Sequence, residues 1–434
     1  MKKILSAILA LTLLFLTLSC LYGCAENKLD NKHTETAFDT IVSDPSNIFA
    51  RSESLTEGLK PSDVAVRDLT TGDKSHYYDF TADLFTNTHT DGKNTLVSPL
   101  SVYFALSMLT NGADGNTLNE LEETLGMTKE ELNLFVKSYM STLPETDSCK
   151  MKIANSVWFR DAKWFSVEKN FLQSNADYYS ADIYKAPFDK TTVDDINSWV
   201  NEKTDGMIPG VIDEISAETV MYLINALTFE AEWAEKYDEY SVLDGKFTAA
   251  DGSVQDAEFM YSDEAYVLKD DNTIGFLKYY EGRDYAFVAL LPDEDVKIDR
   301  YIKSLDGEKI DGLLSSKKST KVTTSMPKFK IEFKEELIEP LSKMGICDAF
   351  KSGSADLSLL GQSSKGNLFV SSVIHKTFIE VNEAGTKAGA VTSIAVDTEC
   401  AASDSVILNR PFVYMIVDVK NELPLFIGNV SSIS

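Results

Sequence analysis

Four histidines, at positions 33, 76, 89 and 375, are all that the 434-residue chain offers for proton transfer near neutral pH. None falls in an HExxH helix, and the chain holds neither a GxSxG turn nor a glycine-rich phosphate loop. Serine, histidine and aspartate are present without a spacing that would assemble a nucleophile, so the sequence argues against a hydrolase or any other enzyme. Five cysteines stand at 20, 24, 149, 347 and 400, with no CxxC pair among them. Neither a zinc site nor a disulfide framework is predicted, and no metal or cofactor is expected. The first two belong to the apolar N-terminal region, and the odd set behind them leaves at least one free thiol.

The segment whose pattern stands out most is Glu383 to Asn409. It separates two strand-like runs and is far longer than a hairpin connection, and long ordered connections are usually functional. Taken in steps of two, one face carries Thr386, Ala388, Ala390, Thr392, Ile394 and Val396, all small or apolar. The other carries Lys387, Gly389, Val391, Ser393, Ala395 and Asp397, so both charges share one side. A strand with one buried face has this pattern. No proline occurs from Glu383 to Asp404, so every residue there keeps the N–H that a central strand needs. Gly385 can supply the unusual backbone angles of a hinge.

The elements that must hold such a segment are predicted from period and punctuation. Composition is ordinary for a globular protein, 44% hydrophobic and 25% charged, and no repeat or second composition shift divides residues 74–434, which form one domain. Amphipathic helical patterns come first, at Tyr78 to Thr88 and Leu100 to Leu109, with Ser98-Pro99 as a cap and helix start. Strand patterns follow at Met221 to Phe229, Tyr285 to Leu291, Lys321 to Phe333, Lys376 to Val381 and Phe412 to Val417. This order points to an α+β fold.

Ahead of the domain, residues 25–73 are polar and acidic and are predicted to be a tether with partly docked segments. Residues 1–24 have the charged start and short apolar run of an export signal. The run ends in Leu21-Tyr22-Gly23-Cys24, similar to a bacterial lipobox, although Tyr22 is bulkier than usual there. Acylation of Cys24 would hold the protein at the outer face of a bacterial membrane; plain cleavage would leave it secreted. The formal net charge of −27 disfavours nucleic acid as a partner.

From Asn94 to Leu121 the sequence NTLVSPLSVYFALSMLTNGADGNTLNEL resembles the second helix and following turn of serpins. Further blocks occur in that family's order: NSVWF from Asn155, INSWVNEKTDGMIP from Ile196, LINALTFEAEW from Leu223 and ALLP from Ala289. MPKFKIEF from Met326, LSKMGICDAF from Leu341, HKTFIEVNEAGTKAG from His375 and NRPFVYMIVDVKNELPLFIGNV from Asn409 complete the series. The resemblance implies three β-sheets, about nine helices and an exposed reactive-centre loop over about 383–409. It implies a monomeric suicide-substrate inhibitor, which traps a serine protease as a covalent acyl-enzyme when the cut loop enters a sheet. A cysteine protease is a second possible class of target.

By the same resemblance Glu383, Gly385, Thr386, Ala388, Gly389 and Ala390 form the hinge, although Ala384, Lys387 and Gly389 depart from its commoner choices. Ser98, Ser101, Asn225 and His375 resemble a hydrogen-bonding group beneath the opening strands, and Trp233 the aromatic residue at the point of first insertion. Ordinary capping and packing are the alternative for each. Family spacing counted forward from Glu383 makes Glu399 the donor of the scissile carbonyl; counted back from Pro411 it is Cys400, with Ala401 next in line. Cys400 beside Ala401 suits a small apolar pocket of the elastase or subtilisin type, and Glu399 a basic one. A non-inhibitory binding protein or adhesin on the same fold is the alternative function.

Overall fold

Two helices and two sheets set the position of everything that matters for the loop. The computed structural model describes residues 52–143, 149–216, 219–386 and 404–433. Helix α1 (Thr71–Thr88) opens with a capping box: the Thr70 hydroxyl accepts from the Asp73 N–H at 3.1 Å, and Asp73 accepts from the Thr70 N–H at 2.7 Å. Helix α2 (Pro99–Thr110) has Ser98 as N-cap and proline as its first residue, as the sequence predicts. Eleven of its twelve residues are buried, so it is apolar and enclosed all round rather than amphipathic.

Helix α2 is enclosed because it lies between the two large sheets, against strands of both. The seven-stranded sheet runs β1 (Glu53–Ser54), β5 (Asp182–Ala186), β3 (Cys149–Arg160), β6 (Met221–Glu232), β15 (Gly385–Thr386), β14 (Ile374–Val381), β12 (Phe329–Glu336). The nine-stranded sheet runs β16 (Ser405–Ile407), β11 (Lys318–Pro327), β8 (Val254–Lys269), β9 (Thr273–Tyr279), β10 (Tyr285–Pro292), β17 (Phe412–Asp418), β18 (Leu423–Val430), β2 (Thr95–Val97). Strand β7 (Val242–Thr248) adds to β8, and β4 (Phe165–Val167) with β13 (Gly361–Ser363) makes a third, two-stranded sheet.

Seven further helices bring the described total to nine: α3 (Gly115–Leu125), α4 (Lys129–Met140), α5 (Lys169–Tyr179), α6 (Lys190–Lys203), α7 (Ile298–Ile302), α8 (Gly307–Ser315) and α9 (Ile338–Met344). The α+β fold with three sheets is the one expected. Four of the predicted strand runs are β6, β10, β14 and β17. The fifth, Lys321 to Phe333, is two strands in two different sheets, because the chain leaves β11 at Pro327 and enters β12 at Phe329.

A separate apolar cluster covers the face of the seven-stranded sheet away from α2. Ile196, Trp199 and Val200 of α6 pack there with Trp158 of β3 and with Tyr222 and Ile224 of β6. Of the stretch 25–73 read as a tether, residues 71–73 instead open α1 and residues 52–70 run along the body: Leu55 N–H donates to Ile183 O at 2.7 Å and Ser62 N–H to Asp177 Oδ1 at 2.7 Å. No helix among the described residues is long and apolar enough to cross a membrane.

Candidate functional site

Strand β15 is only two residues long, and it lies between the two strands that a new central strand would have to part. Gly385 pairs with Glu232, and Thr386 with Ala231 on β6 and Val381 on β14, all antiparallel. Below Thr386 no ladder joins β6 to β14 among the described residues. A cleft continues from Thr386 between Leu227 and Phe229 on one side and Phe378 and Ile379 on the other.

Thr386 is 2% exposed, and its hydroxyl lies 2.6 Å from that of Tyr280. The inward face assigned to it in the sequence is the face it presents. Gly385 is needed for a different reason from the one its type suggests. Its φ of 159° is close to extended, but a Cβ there would lie 2.1 Å from the Ala231 carbonyl oxygen. Only glycine lets the backbone come so close to β6.

The turn from β14 into β15 is held from both sides. Asn382 Oδ1 accepts from the N–H groups of Ala384 (2.9 Å) and Gly385 (3.2 Å), an arrangement that asparagine favours in turns. The backbone N–H of Trp233 donates to Ala384 O at 2.9 Å, its indole N–H to Asn382 O at 2.8 Å, and Tyr237 N–H to Glu383 O at 3.1 Å. Lys328 forms a 2.9 Å ion pair with Glu383, and this hydrogen-bonded ammonium keeps the carboxyl below its usual range. Trp233 stacks on Tyr280 with centroids 4.5 Å apart, so the residue expected at the point of first insertion meets the expected hinge turn through its backbone and Tyr280 through its ring.

The four residues expected beneath the opening strands form one network, in which the Ser98 hydroxyl accepts from the Ser101 N–H at 3.3 Å. Ser98 N–H donates to Nε2 of His375 at 3.0 Å, and the Ser98 hydroxyl donates to Leu425 O at 2.9 Å, which ties α2 to β14 and β18. Ser101 donates to Asn225, whose amide donates to Asn155, whose own amide donates to Tyr179 O at 3.2 Å. Ser101, Asn225 and His375 line one cavity together with Leu106, Leu223 and Val373. Burial pushes the His375 imidazole down to about 4, so the ring is neutral and its proton is on Nδ1.

Asn155, Tyr280, Asn382 and Lys328 belong to this site and were not singled out from sequence. Asn155 and Lys328 lie inside matched blocks, and Asn382 precedes the hinge in the last but one. Tyr280 had no such signal. Cys24, Ala388, Gly389, Ala390, Glu399, Cys400 and Ala401 lie outside the described residues. So does Lys387.

A family model described as Serpin (serine protease inhibitor) matches residues 75–433. The chain belongs to the serpin family. Serpin B9 of Homo sapiens is 30% identical over 358 residues, covering 78% of this chain and 93% of that protein. Leukocyte elastase inhibitor of Bos taurus is 30% identical over 377 residues, covering 81% and 97%. The solved structure of the thermophilic serpin tengpin in its native state is 44% identical, covers 88% of this chain and 100% of tengpin's, and has a TM-score of 0.85. The same serpin in its latent state, 45% identical and covering 85% and 100%, has a TM-score of 0.77. This serpin is thus nearer to the form called native. Its family is one of protease inhibitors rather than of catalysts.

Proposed function

We propose that this serpin is a suicide-substrate inhibitor of serine endopeptidases, which traps the acyl-enzyme by drawing the cut loop between β6 and β14. The observation that supports this most is the register of β15. If that register were continued in steps of two by an entering strand, Ala388 would come opposite Phe229 and Ile379, and Ala390 opposite Leu227 and Thr377. Thr392 would then meet Asn225 and His375, and Ile394 would meet Leu223 and Val373. Chemistry would match place at each step: a hydroxyl would arrive at the polar pair, and an apolar chain over the cavity beside it. A loop that served only for recognition would have no need of this match.

The driving force follows from the backbone. Adding about a dozen residues to a sheet, at roughly 0.5–1.5 kcal/mol for each net hydrogen bond, gains on the order of 10 kcal/mol. An uncut loop is tethered at both ends, so the intact form is held kinetically above the inserted one. A protease joined to the loop as an ester would be carried along with its severed end before water completes the reaction.

The target proposed is an elastase- or subtilisin-like enzyme with a small apolar pocket, in keeping with Cys400 and Ala401 and with a relative named as an elastase inhibitor. The protein would act as an exported monomer, anchored through acylated Cys24. Incubation with a protease panel, followed by denaturing gels and mass spectrometry, tests these points together. A denaturant-stable complex should form, with a released peptide starting at Cys400 or Ala401, and membrane-fraction protein should begin at a lipid-bearing Cys24. Clean cleavage without a complex would favour a non-inhibitory binding protein or adhesin. An unmodified mature N-terminus at another residue would remove the anchor.

A further inference from the structure

Thr386 and Asp404 flank the segment 387–403, and a line of buried and half-buried side chains runs between these two points. At the first, the Thr386 hydroxyl meets that of Tyr280 at 2.6 Å, and Tyr280 stacks on Trp233 at 4.5 Å with an interplanar angle of 11°. Lys278 Nζ lies 5.6 Å from the centre of the Trp233 ring and 4.4 Å from that of Tyr237, the two residues whose N–H groups hold the hinge turn. The same ammonium donates to Glu264 Oε1 at 2.7 Å, and that oxygen also accepts from the Ser262 hydroxyl at 2.7 Å. Ser262 Oγ is 3.0 Å from Thr324 Oγ1, which donates to Ser262 O at 3.1 Å. Thr324 pairs with Val406 of β16, and its neighbour Thr323 donates its N–H to Asp404 O at 3.1 Å, where the loop returns.

The ion pair in the middle is an expensive way to fill space. The side chains of Lys278 and Glu264 are only 3% and 11% exposed, and packed apolar residues of like volume often serve stability as well or better. Burial would lower the Lys278 pKa, but Tyr237 and Glu264 outweigh it and raise the value, so the charge is kept. Its place between the hinge clamp and the return strand calls for a role other than packing.

We infer that Lys278 and Glu264 are positioning residues, a charged strut that holds the Trp233–Tyr237 clamp on the hinge and couples it to the strand β16 where the loop returns. This rests on the reading of 387–403 as the inhibitory loop. On that reading entry would begin at Thr386, which is already paired, whereas full entry of an uncut loop, tethered at its far end, would need β16 to leave β11. A single strut reaching both ends makes entry prompt after cleavage and slow before it. Coupling of this kind has physical content because both ends bias one two-state element, the loop.

The test uses the full chain. Lys278→Met alone would leave a buried carboxylate unpaired, so it is combined with Glu264→Gln; Tyr280→Phe cuts the line at the hinge and Thr324→Val at the return. With a protease that the wild type traps, the Lys278→Met/Glu264→Gln protein should need at least threefold more inhibitor per enzyme inactivated. It should lose activity on standing at least threefold faster. Its association rate should stay within twofold, because the changes lie beneath the loop's ends and not in it, and Lys278→Arg should restore most of the trapping. Amide exchange at Thr386 and Val406 gives a readout that needs no protease: Tyr280→Phe should speed exchange at Val406, and Thr324→Val at Thr386. If each variant speeds exchange only at its own end, or if the double variant folds and traps as the wild type does, there is no strut. If the double variant does not fold, the two single variants decide, since they leave both charges in place. A wild type that traps no protease would defeat the inhibitory reading while leaving the exchange result to stand or fall by itself.

Discussion

Because His375 is buried and accepts a hydrogen bond at Nε2, it stays neutral in the folded protein down to about pH 4, whereas in the unfolded chain it takes up a proton near 6.5. Above 6.5 neither state is protonated and the full stability is present. As pH falls from 6.5 to about 4, the unfolded state gains a proton that the folded state refuses, and about 3 kcal/mol is lost. Protonation then turns Nε2 from an acceptor into a donor facing the Ser98 N–H. Urea unfolding of the wild type and of His375→Asn should show a wild-type advantage at pH 7 that shrinks steadily towards pH 4. An advantage independent of pH would mean that the ring is not held neutral. Residues such as Ser98 and His375 were legible because they sit inside long matched blocks. Tyr280 was not, since it meets Thr386 across 106 positions and nothing local to it announces a partner.

At the scale of the element, the decisive one is β15. Its inward residue Thr386 is enclosed by Ala231, Val381 and Tyr280, so Thr386→Arg would put a charge where no partner or water can reach it, costing several kcal/mol. The expected result is a loop cut by the target at an unchanged rate but released as product, with active protease recovered. Lys387→Ala, on the alternate face, should trap nearly as the wild type does. Full yield of covalent complex from Thr386→Arg would show that entry at this position is not the inhibitory step. The alternation that marks this element was readable because a strand with one buried face imposes a period of two. The same rule failed at Lys321 to Phe333, where the β-branched and aromatic pattern runs through Pro327 unbroken while the chain changes sheet. Strand β3 was harder still, since Lys150, Lys152 and Asn155 give it the look of a loop, and it is a strand because β5 and β6 flank it. Helix α2 was mistaken for an amphipathic one because its two apolar faces meet two different sheets.

For the whole molecule, the intact fold is expected to be the less stable of two. Cleavage near Glu399 should raise the thermal transition by at least about 10 °C, the shift that some 10 kcal/mol gives a chain of this size. A transition that stays put or falls after clean cleavage would mean that the severed strand does not enter. The domain was legible as a whole because many ordered blocks, each modest, fix one arrangement between them. What they could not carry is how far the loop has already gone. The two seated residues of β15 bear on that, because under the proposed mechanism the cut loop would lengthen a strand already started. Pairing of about a dozen further backbone groups would oppose withdrawal by on the order of 10 kcal/mol. Each molecule would therefore serve a single encounter, and the amount of protease restrained would be fixed by how many copies are present rather than by a dissociation constant.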